Sequence, residues 1–232
     1  MNDTAPQVEN IAERIKKGER RELPFGKHKW RVLDVQDNRA LIISETHVKA
    51  GDYHGVQVKV TWEGCDQREY LNSEFLNEFS QEERERILET QVKNPNNLWY
   101  GLVNRIFLGA KGGNDTLDRV FLLSIEEADK YFGNSGDYLN KRRKSKDGED
   151  GKYSPSGKGF YLSNDHDSDR QAPFDNMDAP FWWWLRSPGS DGVFAAYVDH
   201  DGGVGVCGYP VGCSFSPNSG GGIRPAMWLK LD

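Results

Sequence analysis

Two stretches gather carboxylates around an imidazole: "VDHDGG" holds Asp199, His200 and Asp201, and "NDHDSD" holds Asp165, His166, Asp167 and Asp169. Aspartate and histidine are ligand types that divalent cations accept. Neither stretch has the spacing of a calcium loop or of a zinc-binding helix. The sequence therefore favours Asp-Gly turns and a solvated acidic loop over metal ligation. Cys65, Cys207 and Cys213 are an odd number with no C-x-x-C pair, which indicates neither a disulfide framework nor a structural zinc site. No nucleophile elbow, phosphate-cradling loop or dinucleotide fingerprint is present, and no nucleophile stands at a recognisable spacing from a base. The expectation is a protein that binds rather than catalyses, with no metal and no cofactor.

A second chemical signal lies in the last quarter of the chain. "FWWWLRSPGS" places Trp182, Trp183 and Trp184 ahead of Arg186 and a Ser187-Pro188 turn. From Ser187 to Gly222 there is then no Lys, Glu, Gln, Arg, Met, Trp, Leu or Ile. A solvated loop ordinarily uses Lys and Glu, and a core strand uses Ile and Leu. This segment uses Asp, Gly, Ser, Tyr, Phe, His, Cys, Val, Asn and Pro instead, overlapping the Tyr, Ser, Gly and Asn favoured on antibody-like binding surfaces. Such a glycine-rich tail needs a rigid support, and the indole triplet is the candidate floor, since each ring can bury about 150–250 Å². Arg186 and Arg224 each stand beside a proline, so their guanidinium forks are expected to bond loop carbonyls or a buried carboxylate.

The elements that must position these groups are legible in part. In "HKWRVLDVQDNRALIISE", Trp30, Val32, Leu33 and Val35 precede a turn at Asp37-Asn38 and then Leu41, Ile42 and Ile43, which predicts a β-hairpin. Leu71, Phe75, Leu76 and Phe79 share a helical face, and Ser80 with Glu83 forms a capping box for a second helix reaching about Thr90. Val120 to Leu123 read as a strand, followed by a Ser124/Glu127 capping box and a stop at Gly133. Residues 1–22 read as an N-terminal helix or arm carrying Val8, Ile11 and Ile15. Residues 134–173 read as a long surface loop inserted in one domain spanning 23–232; its basic run from Lys141 to Lys144 is a solvated stretch. Short strands with tight turns fill the tail, and Met227, Leu229 and Leu231 alternate against Trp228 and Lys230 along a last strand.

Bulk composition limits the class. The 232 residues are 36% hydrophobic and 28% charged with a net charge of −6, so there is no broad positive field to hold a nucleic acid. No apolar run approaches the roughly 20 residues of a membrane span, and the first 24 residues lack the apolar region of a secretory signal. The cytoplasm is the default location.

The motifs "WWLRSPG", "AAYVDHDGGV" and "GGIRPAMWL", with "FGKHKWRVLDV", "ALIISE", "TWEGCDQREYLNSEFLNEFSQEE" and "DRVFLLSIEEADKYF" upstream, resemble an uncharacterised bacterial and phage domain family from about Leu23 to Leu231. Trp182, Trp183, Trp184, Arg186, Arg224 and Trp228 are its signature positions here. That family is similar to C-type-lectin-like folds of the formylglycine-generating-enzyme type. The resemblance implies an α+β fold with two main helices packed on a twisted antiparallel sheet and long surface loops. It also implies kinship with the variable proteins of diversity-generating retroelements, in which adenine-directed mutagenesis rewrites C-terminal codons; the tail obeys the residue restriction this imposes. On that reading Ala195, Ala196, Val198, Gly202, Val204, Gly208 and Val211 are framework. Asp191, Gly192, Val193, Phe194, Tyr197, His200, Gly205, Val206, Cys207, Tyr209, Pro210, Gly212, Cys213, Ser214 and Phe215 are diversified and face an unknown protein or surface ligand.

Calcium-dependent sugar binding finds no support, since no Glu-Pro-Asn or Gln-Pro-Asp triplet occurs. Two alternatives remain: a copper oxidase using Cys207 and Cys213, as the enzyme branch of the resemblance implies and as thiolates select soft Cu(I), or a structural phage component, which would place the chain in a virion. A homo-oligomer is compatible with each.

Overall fold

The computed structural model describes residues 22–133, 161–212 and 220–231. The chain is mixed α/β, mostly sheet, with a few short helices. The expected N-terminal helix lies outside the described residues, except that Glu22 already belongs to a strand.

Strands β1 (Glu22–Phe25), β2 (His28–Gln36), β3 (Arg39–Ser44) and β12 (Ala226–Lys230) form an open antiparallel sheet in the order β1-β2-β3-β12. The predicted hairpin is its centre: Gln36 pairs with Arg39 across the Asp37-Asn38 turn, and Asp37 takes the left-handed conformation at φ 50°. Aspartate tolerates that region because its short polar side chain bonds locally.

The larger sheet has six strands: β4 (Lys49–Gly51), β7 (Tyr161–Leu162), β8 (Trp183–Pro188), β9 (Phe194–Val198), β10 (Val204–Pro210) and β11 (Gly221–Ile223). Their order is β4-β11-β8-β9-β10-β7, antiparallel except for one parallel link through Gly222 and Trp183. The two sheets share a corner. β3 and β12 pair from Arg39/Lys230 to Ile43/Ala226, separate around Arg224-Pro225, and meet again as β4 and β11 from Lys49/Ile223 onward. The Ser44 N–H donates to the Pro225 carbonyl at 3.0 Å within the bend. A third, two-stranded sheet joins β5 (Thr90–Val92) to β6 (Thr116–Asp118).

In place of the two main helices expected, the helices are short. α1 (Asp66–Tyr70) widens into a π-helical turn over Leu71–Phe75 and ends in a tight turn at Leu76–Glu78; it buries Leu71 and Phe75. α2 (Gln81–Arg86) and α3 (Ile125–Tyr131) start at the predicted capping boxes, each with both reciprocal bonds made. α2 stops at Arg86 rather than Thr90 because Ile87 bridges Leu229 and the Leu88 N–H donates to the Trp228 carbonyl at 2.8 Å. Pairing with β12 takes over the backbone that a longer helix would have used.

Two further expectations are corrected. Val120–Leu123 is not a strand: only Phe121 bridges Ala226, while the Leu122 and Leu123 carbonyls accept bonds from Arg186 instead of a ladder partner. The end of the expected long loop belongs to the fold. β7 pairs with β10, α4 (Asp167–Arg170) follows, and Arg170 is fully buried, its Nε donating to the Gly202 carbonyl at 2.8 Å. Residues 134–160 of that loop lie outside the described residues.

One continuous core joins both large sheets and the helices, with Trp30, Trp62, Trp183 and Trp184 among its largest enclosed side chains. Trp228, expected to alternate outward, is buried too, beneath the Arg39 guanidinium 4.6 Å from its ring. Among the described residues no helix is long and apolar enough to cross a membrane.

Candidate functional site: an aromatic face on the large sheet

Successive side chains of a strand point to opposite faces, and this splits the tryptophan triplet. Trp183 turns toward the corner between the sheets, where its Nε1 donates to the Arg170 carbonyl at 3.1 Å and the Arg224 guanidinium lies 5.2 Å from its ring. Trp182 and Trp184 share the other face, with ring centroids 4.8 Å apart. The triplet is therefore not one stack, since alternation along the strand forbids it.

Around Trp182 and Trp184 the neighbouring strands supply more rings. Trp182 lies 5.6 Å from Tyr197 of β9 and 5.2 Å from Tyr209 of β10, and Phe181 and Phe174 continue the array. Trp184 and Tyr197 are enclosed, whereas Trp182, Tyr209, Phe181 and Phe174 keep part of their surface in solvent. The glycines of the tail make room for these rings. A Cβ on Gly205 would stand 2.5 Å from the Tyr197 ring, and one on Gly221 would stand 2.5 Å from Trp182 and 2.7 Å from Trp184. Gly208, at φ +83°, sits in the irregular stretch where β9 and β10 shift register, a conformation open to glycine.

Two arginines fasten the frame. Arg186 forks onto Glu127, with Nη2 to Oε1 at 2.9 Å and Nη1 against Oε2, and also reaches the Leu122 and Lys93 carbonyls at 2.6 and 3.0 Å. Burial works against the Glu127 carboxylate, but Arg186 and the Ser124 cap outweigh it and hold its pKa below the usual value. Arg224 fills the corner: it donates to the Ser44 and Arg170 carbonyls at 2.8 and 3.1 Å and lies against the Trp183 and Phe132 rings. Burial, then repulsion from Arg31, brings its pKa down to about 9.

These contacts sort the residues expected to face a ligand. Tyr197, Val206 and Cys207 are interior, at 4, 0 and 1% exposure, and are corrected: their stretches of β9 and β10 are enclosed by neighbouring side chains, unlike the ends at Phe194 and Tyr209, so facing outward is not open to them. Gly205 is closed by Tyr197, and Gly192 and Gly212 pack against the backbone of Gly109 and Val56. Asp191, Val193, Phe194, Tyr209 and Pro210 are half-exposed at one end of the sheet. There Val211 N–H donates to the Val193 carbonyl at 3.0 Å and Gln57 bridges Val193 and Gly212. His200 is exposed but lies on the turn at the opposite end of β9 and β10, with its Nδ1 2.7 Å from Asp199. The structure does not bring it to the others. Cys213, Ser214 and Phe215 lie outside the described residues.

The acidic stretches are used in turns. Asp167 accepts from the Asn164 N–H at 2.9 Å and engages Arg170, His166 lies 3.1 Å from Asp169, and Asp201 accepts from the Gly203 N–H at 3.0 Å. Among the described residues no three Asp, Glu, His or Cys side chains are grouped to hold a metal ion. Sequence reasoning missed Phe174, Phe181 and the apolar segment from Leu102 to Leu108, whose Leu108 carbonyl accepts from the Gly192 N–H at 3.0 Å beside the candidate loop. An apolar "GLVNRIFLGA" between glycines was the available signal.

No curated protein and no solved structure matches the chain significantly. A family model does, that of the domain of unknown function DUF6273, across residues 37–231. Those residues contain the corner arginine, the aromatic face and all six strands of the larger sheet, and the chain belongs to the DUF6273 family.

Proposed function

We propose that the chain acts by binding, as a variable protein of the retroelement-diversified kind on a C-type-lectin-like scaffold, and that its ligand is a protein or another macromolecular surface. The observation that carries this reading is the aromatic face: Trp182 and Tyr209 are partly open to solvent on a floor of enclosed Trp184 and Tyr197. Rigid aromatic rings that are polar at one edge dominate binding energy at protein interfaces. The scaffold reading draws support from the paired strands that run through both sheets and from the position of the tail strands beside the half-exposed loop.

Packing also narrows the diversified set. Asp191, Val193, Phe194, Tyr209 and Pro210 accept change outward, whereas Tyr197, Gly205, Val206 and Cys207 are held by their neighbours. Sequencing the 3′ end of the gene across a growing population tests both parts. Substitutions at the first group, drawn from a near-identical template repeat beside a reverse transcriptase, are expected, with the second group constant. A gene without such a repeat removes the retroelement part. The sorting fails if a displayed library randomised at Asp191, Val193, Phe194 and Tyr209 yields no more folded clones than one randomised at Tyr197, Gly205 and Val206. The binding part fails if panning the first library against immobilised folded proteins enriches no clone.

A further inference from the structure

Nine large apolar side chains stand exposed among the described residues, and seven of them sit on a short helical turn, π-helical over Asn104–Leu108, and on the loop beside it. Leu102, Val103, Ile106 and Phe107 are 64, 65, 58 and 72% exposed, and Leu108 follows them. Val56 and Val58 occupy the adjoining loop, which Lys59 ties to the turn through a 3.4 Å bond from Nζ to the Phe107 carbonyl. The face is rigidly held. The Asn104 amide donates to the Ser190 carbonyl at 2.9 Å, Gly192 N–H to Leu108 at 3.0 Å, and Ala110 N–H to the Asn104 carbonyl at 3.1 Å. A partner therefore meets side chains whose backbone is already ordered, which lowers the entropic cost of docking.

We propose that a second copy of this chain covers this face, as a homodimer packed about a two-fold axis. The exposed side chains amount to about 600–800 Å², close to one partner's share of a standard interface and above the largest apolar patch of most monomers. Homodimer interfaces are the more apolar class. The chain carries −6 overall, which keeps copies apart in general. The segment from Gly101 to Lys111 holds Arg105 and Lys111 and no acid. With Lys59 and Asp191 alongside, the face is net positive, so apolar area and not charge drives the pairing, and the dimer is expected to tighten as salt screens these cations. The inference goes beyond the ligand-binding reading and does not depend on it.

Sedimentation velocity of the full chain at about 1–100 μM, the weak end of the affinity range for interfaces of this size, tests it. The expected mass at the upper end is twice the 26.3 kDa of one chain. Phe107→Asp and Leu102→Asp are each expected to raise the dimer dissociation constant at least about 30-fold, with unfolding temperatures unchanged at concentrations where the wild type is monomeric, because both side chains are exposed in the single chain. Leu117→Asp, at an exposed position outside the face, is expected to leave the mass unchanged. A wild-type monomer throughout the range overturns the proposal, even one that captures another protein or anionic vesicles. So does a dimer indifferent to both interface substitutions, or one weakened equally by Leu117→Asp.

Discussion

Gly205→Ala separates packing from diversification as the source of the tail's glycines. In an ordinary strand the change stabilises by about 0.5–1 kcal/mol, because alanine has less unfolded-state freedom to lose. Here the added Cβ would stand 2.5 Å from Cε1 and Cζ of Tyr197, against the roughly 3.5–4.0 Å of a relaxed carbon contact. The ring must move by about 1 Å, and Trp182 and Tyr209 close its way at centroid distances of 5.6 and 6.2 Å. Overpacking of this kind costs about 1–3 kcal/mol. At about 2–4 °C per kcal/mol for a domain of this size, the melting temperature is expected to fall by about 2–12 °C. Near-UV circular dichroism on heating and on urea titration reads the loss directly. The same substitution in a Tyr197→Leu background, where the ring is gone, is expected to be neutral or stabilising, since only contacting residues couple. A Gly205→Ala variant that melts higher than wild type, or one that loses the same amount in both backgrounds, refutes the reasoning.

Two other outcomes follow from the core. Burial first, and then Arg224, lowers the His47 pKa from its usual 6.5 to about 4, so between those values the unfolded chain holds a proton that the folded chain does not. Stability is expected to decline by on the order of 3 kcal/mol as pH falls through that window, and urea titrations of a His47→Gln variant are expected to lose that slope. Trp183→Ala removes a fully buried ring and is expected to cost about 3–5 kcal/mol and to leave little folded protein, whereas Trp182→Ala, at a partly open position, is expected to keep the fold; urea midpoints in the opposite order would contradict the strand alternation.

What the sequence disclosed was local. The Asp37-Asn38 hairpin and the capping boxes at Ser80 and Ser124 depend on residues within a few positions of one another, and each stands where expected. What it hid was tertiary. The tail's small residues look like those of an adaptable surface, and only the neighbouring strands reveal that Gly205 and Gly221 are small because aromatic rings lie over them. Tyr197 belongs to the floor rather than the surface for the same reason. His200 and Asp191 are nine positions apart in sequence, yet β9 runs between them and sets them at opposite ends of the sheet. The run from Leu102 to Leu108 reads as core by composition, and its exposure comes from where the chain happens to anchor it.

The bent pair of strands through the corner also dictates the order of events during synthesis. Arg39 cannot meet Lys230, nor Arg224 lock onto the Ser44 carbonyl, until nearly two hundred intervening residues have left the ribosome. Contacts this distant along the chain form slowly. Until then the first hairpin has an open edge, and a nascent polypeptide stalled short of the final strand would present that edge to chaperones rather than a finished domain.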